Sequence, residues 1–529
     1  MRIYKLWLED YYNLKDCTIR FRDCDSIYGS ASIRFFVGLN GSGKSRALEA
    51  IGLIFSHLSA DRCPGIGFEI DYELNGRQIR VSTRKGKILD RIGVALMTRE
   101  SADAEWEDQE VWASSGTGIV PTLVVGYSTG PTTGLPWTMV QSIDKRAKDI
   151  REPESRSGGD YSTEELAEDQ QKSADQQDVY YAESNTIFLG GDDALCAVIP
   201  LLAHDGVAPE EVKRYKRRRN GVMDRVGLDR DEPLQAFSLL VAGDWRTKLS
   251  PRRRTALSRL LRRAHGIVPV DVDSTDSVPR TSDSEEALSD FCAAFDIDPE
   301  FQDVVLKKLY PRPLAFFREL LAWKRQGALR EIHLVLKKSD PTVRALLPEN
   351  ALSDGEYLYL GRNALLLMVR ETPESLVLFD EPDTHYNDQW KKEMVQDIRR
   401  CLRDVDPGYS KSSYLTEVLV ATHSDLTLTD ADPRQVYYFD KGQVRPSVPI
   451  LSFAADRDQV SKALSNSDGS VRSYSELMVE RALRGKSEER VRELLDITGP
   501  GFTRYLLRRK LASLTGDSNS GGEDASSSE

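Results

Sequence analysis

Eight residues near the start of the chain constrain its fold more than any others: Gly38-Leu39-Asn40-Gly41-Ser42-Gly43-Lys44-Ser45. The pattern is GxxxxGK[ST]. Its glycines allow a tight loop whose backbone N–H groups turn inward around phosphate oxygens, between a strand and a helix. Both flanks are present. Ile33-Arg34-Phe35-Phe36-Val37 is a short apolar run, and Ala47, Leu48, Ile51 and Leu53 follow Lys44 in a helical pattern. That helix aims its positive N-terminal end at the same place. The feature predicts an α/β chain.

A second strand completes the chemistry. Ser375-Leu376-Val377-Leu378-Phe379-Asp380-Glu381 puts four apolar residues in a strand buried on both faces. Asp380 leaves its C-terminal end, where open α/β sheets bind ligands. Together the two motifs read as the Walker A and Walker B elements of an ATPase, with ATP and Mg²⁺ as cofactors. Gly38, Asn40, Gly41, Ser42, Gly43, Lys44, Ser45 and Arg46 form the nucleotide loop. Lys44 reaches the β- and γ-phosphates, Ser45 ligates Mg²⁺, and Asp380 holds the metal through water. Glu381 is the natural base or water-orienting group.

The 529 residues are too many for one core, which stops growing at roughly 250–300 residues. The net charge of −12 excludes a protein that coats nucleic acid through bulk charge. No apolar run approaches the roughly 20 residues of a membrane span, and no secretory segment opens the chain, so a cytoplasmic protein is expected. Six cysteines without CxxC spacing read as reduced thiols, and the six histidines show no zinc-binding spacing.

Boundaries follow composition. Residues 1–142 form the first part of the head and include a predicted hairpin over 67–82 around Asn75-Gly76. Residues 143–345 read as a mainly helical insertion. Within it, 151–178 hold nine acids against three bases, a flexible stretch by composition. Residues 205–265 hold 16 Lys/Arg against 8 Asp/Glu, and 271–286 read as a loop. Strand–helix alternation over 346–450 is the second part of the head, 451–515 a helical extension, and 516–529 a disordered tail.

Between the two motifs stands Leu352-Ser353-Asp354-Gly355-Glu356, which resembles the LSGGQ signature of ABC-type ATPases. Pro382-Asp383-Thr384-His385 resembles their D-loop, and the strand ending at His423 resembles their switch-histidine strand. LSDGEYLYLGRNALLLM, LFDEPDTHYNDQWKKEMV, ATHSD and VVGYSTG together look like the restriction-system-associated AAA-family ATPases of bacterial anti-phage defence loci, in the clan of SMC, RecF, OLD and PtuA-like proteins. The resemblance covers about 1–60, 121–130 and 351–445. It implies an ABC-type head in which Ser353 and Gly355 cap the γ-phosphate bound by an opposite subunit, hence a head-to-head homodimer with ATP at the interface. It also implies that His423 assists turnover and that the chain acts as sensor or switch beside a separate effector protein. Two departures stand out. Asp354 replaces a signature glycine and Glu356 replaces the glutamine, so two acids lie where a γ-phosphate would come unless they point away or pair with cations. A Gln-loop glutamine is missing after Val124-Val125. Gln141 is one substitute, and Tyr127-Ser128 lining the site is another.

Long coiled-coil arms are excluded by the lack of heptads. A built-in Toprim nuclease is disfavoured, because only 106 residues follow His423. A RecF-like repair ATPase and an ATP-dependent clamp with incidental hydrolysis stay open. Basic residues at 213–219 and 252–263 are either a solvated helical face or a nucleic-acid or partner surface.

Overall fold

Strict alternation decides the centre of the molecule. In the strand before the phosphate loop, β3 (Ser32–Gly38), all seven residues are buried because their side chains leave on two faces into two different cores. Ile33, Phe35 and Val37 enter one core, and Phe36 the other. The computed structural model describes residues 1–22, 32–89, 92–101, 103–110, 118–129, 185–204, 209–270, 289–340, 346–370, 372–402, 416–445, 474–497 and 502–515.

β3 belongs to a seven-stranded sheet. Its order is β10 (Thr186–Leu189), β9 (Leu123–Ser128), β16 (Ser375–Asp380), β17 (Glu417–Ala421), β3, β18 (Val436–Asp440) and β19 (Gln443–Arg445). Every pair is parallel except β18 with β19. The phosphate-loop strand and the Asp380 strand therefore flank β17, which ends beside His423, and all three C-termini open on one edge. Central parallel strands need apolar residues on both faces, which is why these runs read as continuous Val, Leu and Phe.

A second sheet is antiparallel, ordered β2 (Leu14–Arg20), β1 (Arg2–Tyr11), β4 (Phe68–Leu74), β5 (Arg77–Ser82), β7 (Val94–Arg99) and β6 (Ile88–Leu89), with β8 (Glu107–Asp108) on β7. The β4–β5 turn has positive φ at Asn75 and Gly76, as a tight hairpin requires. Helix α1 (Lys44–Leu58) contributes Ala47, Leu48, Ile51, Ile54 and Phe55 to the core between the two sheets.

Between residues 185 and 348 the insertion has more helical than strand residues, and it also holds a sheet that the sequence reading did not anticipate. This sheet is five-stranded and antiparallel, ordered β12 (Gly266–Pro269), β13 (Phe291–Asp296), β11 (Leu234–Val241), β14 (Leu329–Lys337) and β15 (Leu346–Pro348). The longer α-helices beside it are α2 (Ala194–Ala203), α3 (Pro209–Val226), α4 (Pro251–Leu261) and α5 (Pro313–Arg325). The strand signal is present in the sequence. β14 buries Ile332, Leu334 and Leu336 while Glu331 and His333 face outward, a period of two.

This sheet shares one apolar core with the far face of the parallel sheet, with α6 (Asp354–Val369) and with α7 (Asp388–Leu402). Close packing of α2 on α6 explains Gly361, where an added Cβ would meet Ala194 Cβ at 2.8 Å. Arg225 of α3 pairs with Glu393 and Asp397 of α7. Met1–Leu464 therefore form one compact unit and Ser465–Glu529 a second. The second holds α8 (Tyr474–Arg484), α9 (Glu488–Ile497) and α10 (Phe502–Thr515) around Ala482, Val491 and Leu507. Among the described residues no helix is long and apolar enough to cross a membrane. The acidic stretch 151–178, the loop 271–286, Gln141 and the 516–529 tail lie outside them.

Candidate functional site

The phosphate loop has the backbone that its glycines permit. Gly38, Gly41 and Gly43 have φ of 148°, 77° and 113°. Gly38 also leaves no room for a side chain, since an added Cβ would lie 2.2 Å from the Phe439 carbonyl oxygen. α1 starts at Lys44 with Gly43 as N-cap, no side-chain cap and no acid in its first turn. Its first N–H groups are open to an anion. Lys44 Nζ donates to the carbonyls of Gly38 and Leu39 at 2.8 and 3.2 Å. Burial pulls its pKa down, against the opposing pull of Glu381 and Asp380. Ser42 Oγ is buried with no hydrogen-bond partner among the described residues, a donor left over for a ligand oxygen. These features fit a triphosphate. Asn40 is exposed at the loop tip.

The walls of this cleft include two residues that the motif reading missed. Tyr12 and Asn13 form the β1–β2 turn, and with Gly41 to Arg46 they line a cavity of about 370 Å³. Asn13 Nδ2 donates to the Gly41 carbonyl at 2.8 Å, bracing the loop. The Arg46 guanidinium lies 4.1 Å from the Tyr12 ring centroid and pairs with Glu49. The signal available in the sequence was the turn itself, an Asn between two alternating runs.

Ser45 Oγ donates to Asp380 Oδ1 at 2.8 Å, which joins the two motifs across 335 positions. A hydroxyl and a carboxylate at that separation can share a divalent cation. Burial raises the Asp380 pKa to about 6, with the Ser45 hydrogen bond working against it. Glu381, next along, sits at φ 50°, a conformation that costs a non-glycine residue roughly 1–2 kcal/mol. Neighbours hold it there. Its N–H donates to the Ala421 carbonyl at 2.9 Å, and its own carbonyl accepts from Thr129 Oγ1 at 2.8 Å and Thr384 Oγ1 at 2.9 Å. The strained turn aims the side chain at His423, whose Nδ1 lies 2.6 Å from Glu381 Oε2. That hydrogen bond raises the His423 pKa, while partial burial opposes it.

Two sequence expectations change here. Tyr127 does not line the site: its ring is fully buried, edge-on to Phe379 at 5.7 Å, and its hydroxyl donates to the Leu358 carbonyl at 3.3 Å. Thr129 of that segment reaches the site through its hydrogen bond to the Glu381 carbonyl. Asp383, read only as part of a D-loop, is 1% exposed and accepts from Thr422 Oγ1 at 3.0 Å and Thr427 Oγ1 at 2.7 Å. It ties the D-loop to the loop that carries His423.

Ser353 and Gly355 are not part of this cluster. They line a separate cleft with Asp354, Glu356, His385, Asn387 and Trp390, which shares no lining residue with the phosphate-loop cleft. Ser353 is the N-cap of α6. Gly355 is required by the D-loop backbone, because an added Cβ would lie 2.8 Å from the His385 carbonyl oxygen.

The basic segments also divide. In 213–219, on α3, the side chains of Lys213 and Arg214 lie outside the described residues, and Arg219 is 2% exposed, donating to the His204 and Arg230 carbonyls at 2.8 and 2.9 Å. Arg219 is therefore structural, against its reading as a surface residue. In 252–263, Arg253 is buried near Glu319, Arg254 donates to the Leu249 carbonyl at 2.6 Å and Arg263 pairs with Glu300. Arg252 and Arg259 of α4 and Arg262 at its C-cap are exposed.

No family model matches the chain, and no curated protein matches it. Among solved structures, the Smc head bound to the C-winged helix domain of ScpA is similar at 13% identity and TM-score 0.30, covering 84% of this chain and 96% of that chain. The Smc head domain with an extended coiled coil bound to the C-terminal domain of ScpA, derived from Pyrococcus furiosus, is similar at 14% identity and TM-score 0.29, covering 84% and 95%. The Smc head domain with a coiled coil and joint from Pyrococcus yayanosii is similar at 15% identity and TM-score 0.29, covering 88% and 99%.

Proposed function

We propose that this chain binds and hydrolyses ATP as an ABC-type head. The observation that carries this reading is the convergence of Lys44, Ser45, Asp380, Glu381 and His423 at one edge of the parallel sheet, from segments hundreds of positions apart. The phosphate-loop amides, Ser42 Oγ and Lys44 would hold the triphosphate, and Ser45 with Asp380 would hold Mg²⁺. The bound cation supplies charge neutralisation at the phosphates. Glu381 takes or orients the proton of an attacking water, and His423 holds its carboxylate in place. Ser353 and Gly355, standing in their own cleft, serve a nucleotide held by a second copy in a head-to-head dimer.

On the wording of its motifs, the chain works as sensor or switch of an anti-phage defence complex with a separate effector. Phosphate release by the wild type tests the chemistry, and phage challenge of cells carrying wild type or Lys44→Ala tests the role. Wild-type protein without ATPase activity ends the first reading. Equal phage protection by both proteins, or by neither, ends the second.

A further inference from the structure

The signature loop already holds an anion, and the anion is its own. The Ser353 N–H donates to Glu356 Oε2 at 2.8 Å, and the Ser353 hydroxyl donates to the same oxygen at 2.9 Å. The Glu356 N–H returns a bond to Ser353 Oγ at 3.3 Å. As a helix cap this box is ordinary. It conflicts with the role proposed for Ser353. The amide and hydroxyl protons that would cap a γ-phosphate are spent on Glu356, whose carboxylate puts negative charge where the phosphate must come. Two anions cannot use the same donors.

A cation stands ready on the other side of Glu356. Lys338 Nζ lies 3.6 Å from Glu356 Oε1. The same ammonium donates to the Val226 carbonyl at 2.8 Å, at the last residue of α3. Ser339 N–H donates to the Gly227 carbonyl at 3.0 Å, and Leu228 bridges to Lys338. Lys338, itself a residue of the insertion, is thus held at the corner where α3 meets the end of β14. Asp354, the other acid of the turn, is exposed.

We propose that Glu356 is an internal competitor for the γ-phosphate of the opposite subunit, and that Lys338 draws its carboxylate aside when the dimer closes. The insertion then sets how readily the head closes, through the position of Lys338. This rests on the ATP-sandwich reading above.

The test uses the full chain carrying Glu381→Gln, so that ATP persists. The readout is the ATP concentration at half-maximal dimer formation, by analytical ultracentrifugation. Glu356→Gln keeps the capping box, since glutamine caps as glutamate does, and should lower that concentration about tenfold, the scale of one charge-assisted hydrogen bond. Lys338→Met should raise it. Combined with Glu356→Gln, Lys338→Met should have no further effect, because the lysine acts through the carboxylate. A lysine that merely braces α3 would cost the same in both backgrounds and would overturn its assigned part. An unshifted or raised requirement in Glu356→Gln overturns the competition itself. A Glu381→Gln parent that binds ATP and never dimerises sinks the sandwich reading and this inference with it.

Discussion

Two helix N-termini in this chain face opposite demands, and their first turns show it. α1 begins at the phosphate loop with a glycine N-cap, no side-chain cap and no acid in its first turn. α6 begins at the signature loop with a serine N-cap, a complete capping box and two acids, Asp354 and Glu356. An uncapped N-terminus leaves several N–H groups unsatisfied and so suits a permanent anion site. A capped one is stable alone and must give up its cap to receive an anion. The first is built to bind, and the second to be opened.

Breaking the α1 site should have the largest effect. Lys44→Ala should abolish ATP binding by calorimetry. Glu381→Gln should retain ATP and lose hydrolysis by on the order of 10²-fold or more, the scale of general-base removal. His423→Ala should slow turnover less, because it removes only the partner at 2.6 Å. Wild-type hydrolysis in Glu381→Gln would place the base elsewhere.

The α6 end is tested by mixing. Ser353→Arg should leave ATP binding at the phosphate loop intact and block dimer closure. Mixed with Lys44→Ala subunits it should recover part of the lost ATPase, since one composite site keeps both halves. Full activity in Ser353→Arg alone would refute the shared site.

The two basic segments give a smaller contrast of the same kind. Reversal of Arg252, Arg259 and Arg262 to Glu should leave basal ATPase near normal. If these arginines meet nucleic acid, the reversal should also weaken binding and flatten its salt dependence. Arg219→Glu should instead destabilise the fold, seen as a lower melting midpoint, because it strands a buried side chain and two carbonyls. Wild-type protein that binds no DNA at low salt would leave these arginines a solvated face.

The smallest effect is a stability difference with pH. Asp380 has a folded pKa of about 6 against an ordinary value of 3.8. The folded state therefore binds more protons between those values, so stability falls as pH rises through that window and stays lower above it. Asp380→Asn removes a penalty of about 3 kcal/mol. Its melting midpoint without nucleotide should exceed the wild type's by a few degrees at pH 8 and match it near pH 4. Equal midpoints at both would show that Asp380 carries no burial cost.

Much of the α1 site was legible because it is local. A glycine loop between an apolar run and a helical pattern needs no distant partner to be read, and neither does a strand ending in Asp380-Glu381. Asp383, Thr129, Asn13 and Tyr12 could not be read that way. Each acts through a contact with a segment far along the chain, and nothing in its own neighbourhood marks it. The sheet of the insertion was missed for a related reason. In β14 Ile332, Leu334 and Leu336 alternate with Glu331, His333 and Lys337, but Leu329-Arg330 and Val335 interrupt the pattern, and its partner β11 lies far back along the chain.

The sequence by itself determined which segments carry phosphate-binding and acid–base groups, because loop conformation and strand burial follow from neighbouring residues. Only the tertiary structure decided which of those groups meet. Ser45 reaches Asp380 and Glu381 reaches His423 because parallel strands from distant segments end at one edge. Arg219 turned inward and Arg252, Arg259 and Arg262 outward because helix packing, not composition, sets which side of a charged helix faces water. Glu356 came to lie between Ser353 and Lys338 because α6 and β14 meet there, a fact of packing that no local pattern contains.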